Sequence, residues 1–201
     1  GQSNMGWSGF NRKDREAVSA DFPGLRYVAW EDSWYKPLDE IKARIGWREC
    51  PPENAQRFSA VPYLFGTFLH RYLKVPVGII NVARGGTLGQ TWCLRSELDS
   101  IDDKIIQTVL ADYDAETAVW DDEKQVAALM KQWEADCEKA KVEHKQKVAR
   151  AESEGKKPPR LRLPKKPGDA RSAWSPPAGL FNATVMPIRD LALRGVLYYQ
   201  G

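Results

Sequence analysis

The sequence predicts an α/β domain built on a parallel sheet with helices on its faces, interrupted by a long, charged helical insertion. Three observations carry this. Leu25-Arg26-Tyr27-Val28-Ala29-Trp30 alternates and is rich in strand formers; apolar residues recur at helical spacing from Ser59 to Tyr72; and Val75 to Val82 is an almost continuous apolar run. Strand, helix and buried strand in succession is the βαβ rhythm of a parallel sheet.

With 201 residues, 42% of them hydrophobic, the chain can bury one sizeable core, and it has no apolar run long enough to cross a membrane. A formal charge of +3, with acids and bases intermixed along most of the chain, does not point to nucleic acid as a partner. Cys50, Cys93 and Cys137 are too scattered for a structural zinc site, and their odd number leaves the redox compartment open.

The elements follow in order. Gly1-Gln2-Ser3-Asn4-Met5 combines a small residue, a serine and an amide. Ser3 or Asn4 could cap a helix; alternatively, Ser3 stands on a sharp strand-to-helix turn with its hydroxyl exposed beside backbone N–H groups. The elbow pattern G-x-S-x-G is half matched, because Met5 replaces its second glycine. Asp21-Phe22-Pro23-Gly24 makes a turn before the strand at 25–30, and residues 31 to 57 read as a surface excursion without regular structure. Ser59 caps the next helix, Pro62 sits in its first turn, and Val61, Leu64, Phe65, Phe68, Leu69 and Tyr72 form its apolar face. His70 falls on the opposite, polar face with Tyr63, Thr67 and Lys74, as a solvated surface histidine rather than a catalytic one. The run 75–82 reads as a strand buried on both faces and ends in Arg84-Gly85-Gly86-Thr87, either a tight turn or a place where backbone amides approach a ligand.

A helix is expected around Ile101 to Tyr113. Beyond it, Val126, Met130, Trp133, Cys137, Ala140, His144, Val148 and Ala151 recur at steps of three and four within a highly charged segment, the seam of a long helix that packs on its predecessor or on a partner. Glu154 to Pro177 is basic and proline-rich: a solvated return linker, or a strap for an acidic polymer. Residues 116–177 thus form an insertion dividing 1–115 from 178–201. After it, Pro187 bends or restarts a helix running to about Leu193, Asn182-Ala183-Thr184 is a formal glycosylation sequon within that helix, and residues 195–201 read as a further buried strand.

Four blocks carry a resemblance: Gly1-Gln2-Ser3-Asn4-Met5; Phe58-Ser59-Ala60-Val61-Pro62-Tyr63-Leu64-Phe65-Gly66; Val77-Gly78-Ile79-Ile80-Asn81 with Gly85-Gly86-Thr87; and Gly195-Val196-Leu197-Tyr198-Tyr199-Gln200-Gly201. In this order they resemble the sialate O-acetylesterase family of SGNH-type, GDSL-like carbohydrate esterases. The resemblance implies a three-layer α/β/α, flavodoxin-like fold, export to the periplasm or the cell exterior, and hydrolysis of acetyl esters on an O-acetylated glycan or sialic acid, with no cofactor or metal. It implies Ser3 as nucleophile and an oxyanion hole lined by the N–H groups of Ser3 and of Gly86 or Gly85, with Gln200 reaching the same pocket.

The family's base is a histidine three residues after an aspartate; here Thr67 precedes His70 and Lys141 precedes His144 by that spacing. The chain is therefore expected to be a piece of the enzyme, lacking the first strand and the catalytic Asp-x-x-His and inactive alone. Two other readings are an inactive carbohydrate-binding relative and a helical scaffold whose 116–177 insertion binds a partner or an acidic polymer.

Overall fold

A computed structural model describes residues 1–8, 21–30, 32–41, 46–51 and 57–199. Gln200 and Gly201, with most of the polar stretch after Trp7, lie outside the described residues. The chain is α/β and divides into two compact units, Gly1–Ile106 with Trp174–Gly201, and Gln107–Ala173.

The first unit opens with a single helical turn, α1 (Ser3–Gly6), followed by β1 (Phe22–Ala29), β2 (Arg48–Cys50), α2 (Ala60–Leu73), β3 (Val77–Asn81) and α3 (Arg95–Ser100). The sheet order is β2-β1-β3. β1 and β3 run parallel with Leu25 opposite Val77 and Ala29 opposite Asn81, the crossover that α2 requires. β2 pairs antiparallel with β1, so the described sheet is mixed and not wholly parallel as the sequence predicts. The excursion 31–57 was expected to have no regular structure, and β2 lies within it. Its three residues, two of them charged, carry no readable alternation, yet its side chains still engage the sheet. Cys50 enters the core and Glu49 reaches Arg26 at 3.0 Å.

The core holds Phe22, Leu25, Tyr27, Cys50, Phe58 and Tyr63, with Ala60, Val77 and Ile79 packed against it. α2 joins it through an unexpected face. Pro62, Tyr63, Gly66 and Thr67 are its buried residues, while of the predicted core stripe Val61, Leu64, Phe65, Phe68 and Tyr72 are exposed and Leu69 is half-buried. Close approach explains the reversal: a Cβ on Gly66 would lie 2.8 Å from Ile79 Cγ1 and 3.0 Å from Leu25 Cδ1, so the helix seats its smallest residue on the sheet. Tyr63, fully buried, fills the space alongside.

His70 lies on this inward face. It is half-buried, 6.3 Å from the Phe22 ring, and its Nδ1 is 2.6 Å from the Val75 carbonyl. It is a packed histidine and not the solvated one expected.

Two further expectations are corrected near the end of the unit. Phe181–Val185 forms a π-turn and Met186–Ile188 a 3₁₀ turn, so the helix stops short of Leu193. Residues 195–199 form no strand and are exposed. Asn182, Ala183 and Thr184 are buried, and Asn182 Nδ2 donates to the Trp34 carbonyl at 3.3 Å, so in the folded protein the sequon is packed inside and not presented at the surface.

α4 (Lys104–Val119) begins in the first unit and continues into the second, where α5 (Glu123–Ser153) is the main element. Asp122 caps α5 by accepting from the Lys124 and Gln125 amides. Val126, Met130, Trp133, Ala140, His144, Val148 and Ala151 are half-buried and Cys137 is buried, all within the exposed surroundings of a charged helix. The basic tract, expected to be a solvated return, runs back beside this seam: Trp133 Nε1 donates to the Pro164 carbonyl at 3.1 Å. No described helix is long and apolar enough to cross a membrane.

Candidate active site

The carboxyl end of β3 is where the first unit gathers its unusual chemistry. Arg84 N donates to the Gly1 carbonyl at 3.1 Å, and the Gly1 nitrogen donates to the Val82 carbonyl at 3.4 Å. Residue 1 is thereby laid alongside the end of β3 and projects α1 over the following turn. A Cβ on Gly85 would lie 3.3 Å from Ser3 Cβ and 3.8 Å from Ser3 N, so the serine and the first glycine of the pair are neighbours. Gly86 has φ +66°, a left-handed conformation that L side chains resist, and it leaves the turn open. Ser3 is exposed, and its Oγ has no hydrogen-bond partner among the described residues.

Two groups hold this turn in place. Thr87 Oγ1 donates to the Arg84 carbonyl at 2.9 Å and accepts from Trp92 Nε1 at 3.0 Å, closing the turn from below. From the side, Trp174 Nε1 donates to the Gly85 carbonyl at 2.9 Å, and the Arg84 guanidinium lies 4.7 Å from the Trp174 ring centroid. The remaining ring surface of Trp174 is open to solvent. Residue 199 also reaches the site: Gln2 N donates to the Tyr199 carbonyl at 3.3 Å, and Asn4 Nδ2 donates to the Tyr199 hydroxyl at 3.4 Å. Gln200, expected here, lies outside the described residues.

Beneath the site runs a buried polar network. Asn81, the last residue of β3, donates through Nδ2 to the Tyr27 hydroxyl at 2.8 Å and to Ser59 Oγ at 2.7 Å, and the Ser59 amide donates to the same Tyr27 hydroxyl at 3.3 Å. Ser59 stands at the N-cap of α2 as expected, but its hydroxyl serves Asn81 and makes no cap bond. The network pins the β1 and β3 ends to the start of α2. Sequence reasoning missed it, although a lone asparagine closing an apolar strand was a signal; Trp174, set in a proline-rich stretch, gave none.

No described contact brings a base to Ser3. His70, the one histidine in this unit, is fixed against Val75, before β3 begins, whereas Ser3 meets Gly85 after β3 ends. His144 belongs to the α5 seam of the other unit. Among the described residues, no group of three His, Cys, Asp or Glu side chains is placed to hold a metal ion.

No protein-family model matches the chain, and no curated protein matches it. Among solved structures, it is similar to a carbohydrate acetylesterase from Xanthomonas citri, at 31% identity and a TM-score of 0.46 over 50% of this chain. The matched half of this chain spans 24% of that protein's length.

Proposed function

We propose that the chain belongs to a carbohydrate O-acetylesterase of the sialate O-acetylesterase kind, with a flavodoxin-like SGNH fold and a serine nucleophile. One observation carries this reading: an exposed, unpartnered Ser3 sits against the Gly85-Gly86 turn at the carboxyl end of β3, where open α/β sheets place their ligands.

In the proposed reaction Ser3 Oγ attacks the acetyl carbonyl of a sugar ester. Negative charge builds on the carbonyl oxygen, and the backbone N–H groups of Ser3 and of Gly86 or Gly85, with Gln200, are the donors to it. The sugar alkoxide leaves with a proton, and water then attacks the acyl-enzyme to release acetate. A glycine pair suits this task because backbone amides reach a substrate oxygen without Cβ atoms in the way. The open face of Trp174 is a platform on which a sugar ring can lie.

The test is acetate release from an acetylated monosaccharide by the natural protein. Ser3→Ala is expected to lower the rate by about 10⁴-fold or more, and His70→Gln, remote from Ser3, to leave it within about threefold. Unchanged turnover in Ser3→Ala would overturn the assignment, as would a loss in His70→Gln equal to that in Ser3→Ala.

A second reading is favoured by the lack of a base beside Ser3 among the described residues: a relative that binds glycans at this turn without hydrolysing them. It predicts no acetate release by the wild type, with glycan binding that Trp174→Ala abolishes.

A further inference from the structure

We propose that residues 156–166 of the second unit form a docking strip for a linear acidic polysaccharide. This inference is independent of the reading of Ser3. No aspartate or glutamate occurs from Gly155 to Gly168, while Lys156, Lys157, Arg160, Arg162, Lys165 and Lys166 do. Several cations of the unit have acidic partners: Lys141 with Glu138, Lys147 with Glu143, Arg150 and, within the strip itself, Lys156 with Glu154, and Arg171 with Asp121 and Asp169. Lys124, Lys131, Lys139 and Lys145 have no ion pair among the described residues but stand among the acids of α5. Lys157, Arg160, Arg162 and Lys165 are exposed and have no ion pair among the described residues.

These four charges are not on a loose tail. The strip has no helix or strand, and it is tied to α5 by the Trp133 hydrogen bond to Pro164 and by Lys166, whose ammonium lies 5.7 Å from the Trp133 ring centroid. Leu163 shares a groove with Trp133, Cys137 and Lys141. Pro158, Pro159, Pro164 and Pro167 further restrict the backbone, so little conformational freedom remains to be lost on binding. At about 3.1 Å per residue of extended chain, the four cations follow one another at roughly 9, 6 and 9 Å. A polymer with one anion on each repeating unit can meet such a row.

Glu134 and Glu138 also line the groove beside Leu163, so the ligand is expected on the strip's outer side, away from α5. The chemistry favours a glycan over a nucleic acid. Residues 154–173 contain no aromatic side chain, and the nearby Trp133 ring already carries Lys166, which leaves no platform for bases. The exposed surface of α5 alternates acids with bases and would repel a duplex backbone as much as attract it.

The experiment is equilibrium binding of the full chain to polygalacturonate over a salt series, with single-stranded oligothymidylate and neutral dextran alongside. Binding to polygalacturonate is expected to weaken with salt at a log–log slope of about 3, four contacts at about 0.7 each, with no binding to dextran. Changing Lys157, Arg160, Arg162 and Lys165 together to Gln should weaken binding by about tenfold or more and remove most of that slope. A second variant, with Lys124, Lys131, Lys139 and Lys145 of α5 changed to Gln, loses the same net charge and should stay within about twofold of wild type. Equal weakening in the two variants would overturn the proposal, because net charge alone would then explain binding. Tighter binding to oligothymidylate than to polygalacturonate would overturn it in favour of a nucleic acid.

Discussion

Tyr27→Phe is the most informative single change to the first unit, because it removes one atom that two buried donors share. The ring itself is expected to stay: it packs 4.5 Å from the Phe58 ring within the core, and phenylalanine keeps that contact. Without the hydroxyl, Asn81 loses the 2.8 Å bond but retains Ser59 Oγ on its other N–H. The Ser59 amide, in a buried residue, loses its 3.3 Å acceptor. A net hydrogen bond contributes about 1 kcal/mol and a stranded buried donor costs about 1–2 kcal/mol, so the variant should unfold about 2–3 kcal/mol more easily. Urea denaturation measures the total, and amide exchange at Val28 and Ile80 localises it. Adding Asn81→Ala to Tyr27→Phe should cost about 1 kcal/mol less than Asn81→Ala alone, because the shared bond is already gone. A Tyr27→Phe protein within about 0.5 kcal/mol of wild type, with unchanged exchange, would refute the network's role.

The alkaline limit of stability is expected to come from two core groups. Burial pushes the Cys50 thiol up to about 11 and the Tyr63 phenol up to about 12, from ordinary values of 9.0 and 10.0. The unfolded chain therefore releases these protons first, so stability falls as pH rises from 9.0 to about 11 for Cys50 and from 10.0 to about 12 for Tyr63. Denaturation midpoints across this range should fall, and Cys50→Ala should flatten the lower part of the fall. Gly86→Ala should destabilise the first unit by about 1 kcal/mol through its left-handed φ alone, since the added methyl meets only Trp174 Nε1, at 3.9 Å. Calorimetry of the variant checks this, and no change in melting temperature would show that the turn relaxes.

What could be read from the sequence was whatever local pattern decides. The runs of β-branched and aromatic residues placed β3 and residues 25–29 of β1, and the spacing of three and four placed α5 together with the residues of its seam. Phe22 to Gly24, which read as a turn, instead begin β1, and β3, which reads as buried on both faces, is buried only at Asn81. The junction of β3 with Gly85 and Gly86 was visible as a strand ending in a turn. β2 was not, because three residues with two charges owe their conformation to β1 beside them. The last stretch failed in the opposite way. Gly195-Val196-Leu197-Tyr198-Tyr199 has every local mark of a strand, yet Val196 is 78% exposed and none of residues 195–199 is in a strand. Propensity describes what fits a pleated surface, and a strand forms only where a neighbour supplies one.

α2 shows why a correct element can still mislead about the site. Apolar spacing found the helix but assigned the wrong face to the core, because the amphipathic rule counts hydrophobic side chains and ignores how near the backbones can come. Gly66 allows contact with Ile79 and Leu25 that a larger residue would prevent, and this turns Tyr63, Thr67 and His70 inward. The correction bears on chemistry. His70 is committed to the Val75 carbonyl at the amino end of β3, the end away from Ser3. In the reaction proposed for Ser3 the base is a group other than His70, and the substrate approaches over the Gly85-Gly86 turn, beside Trp174 and Tyr199. A bulky residue there, such as Gly86→Trp, should block the approach of substrate and abolish acetate release while α2 and its histidine remain as they are. Retained activity in that variant would place the chemistry elsewhere.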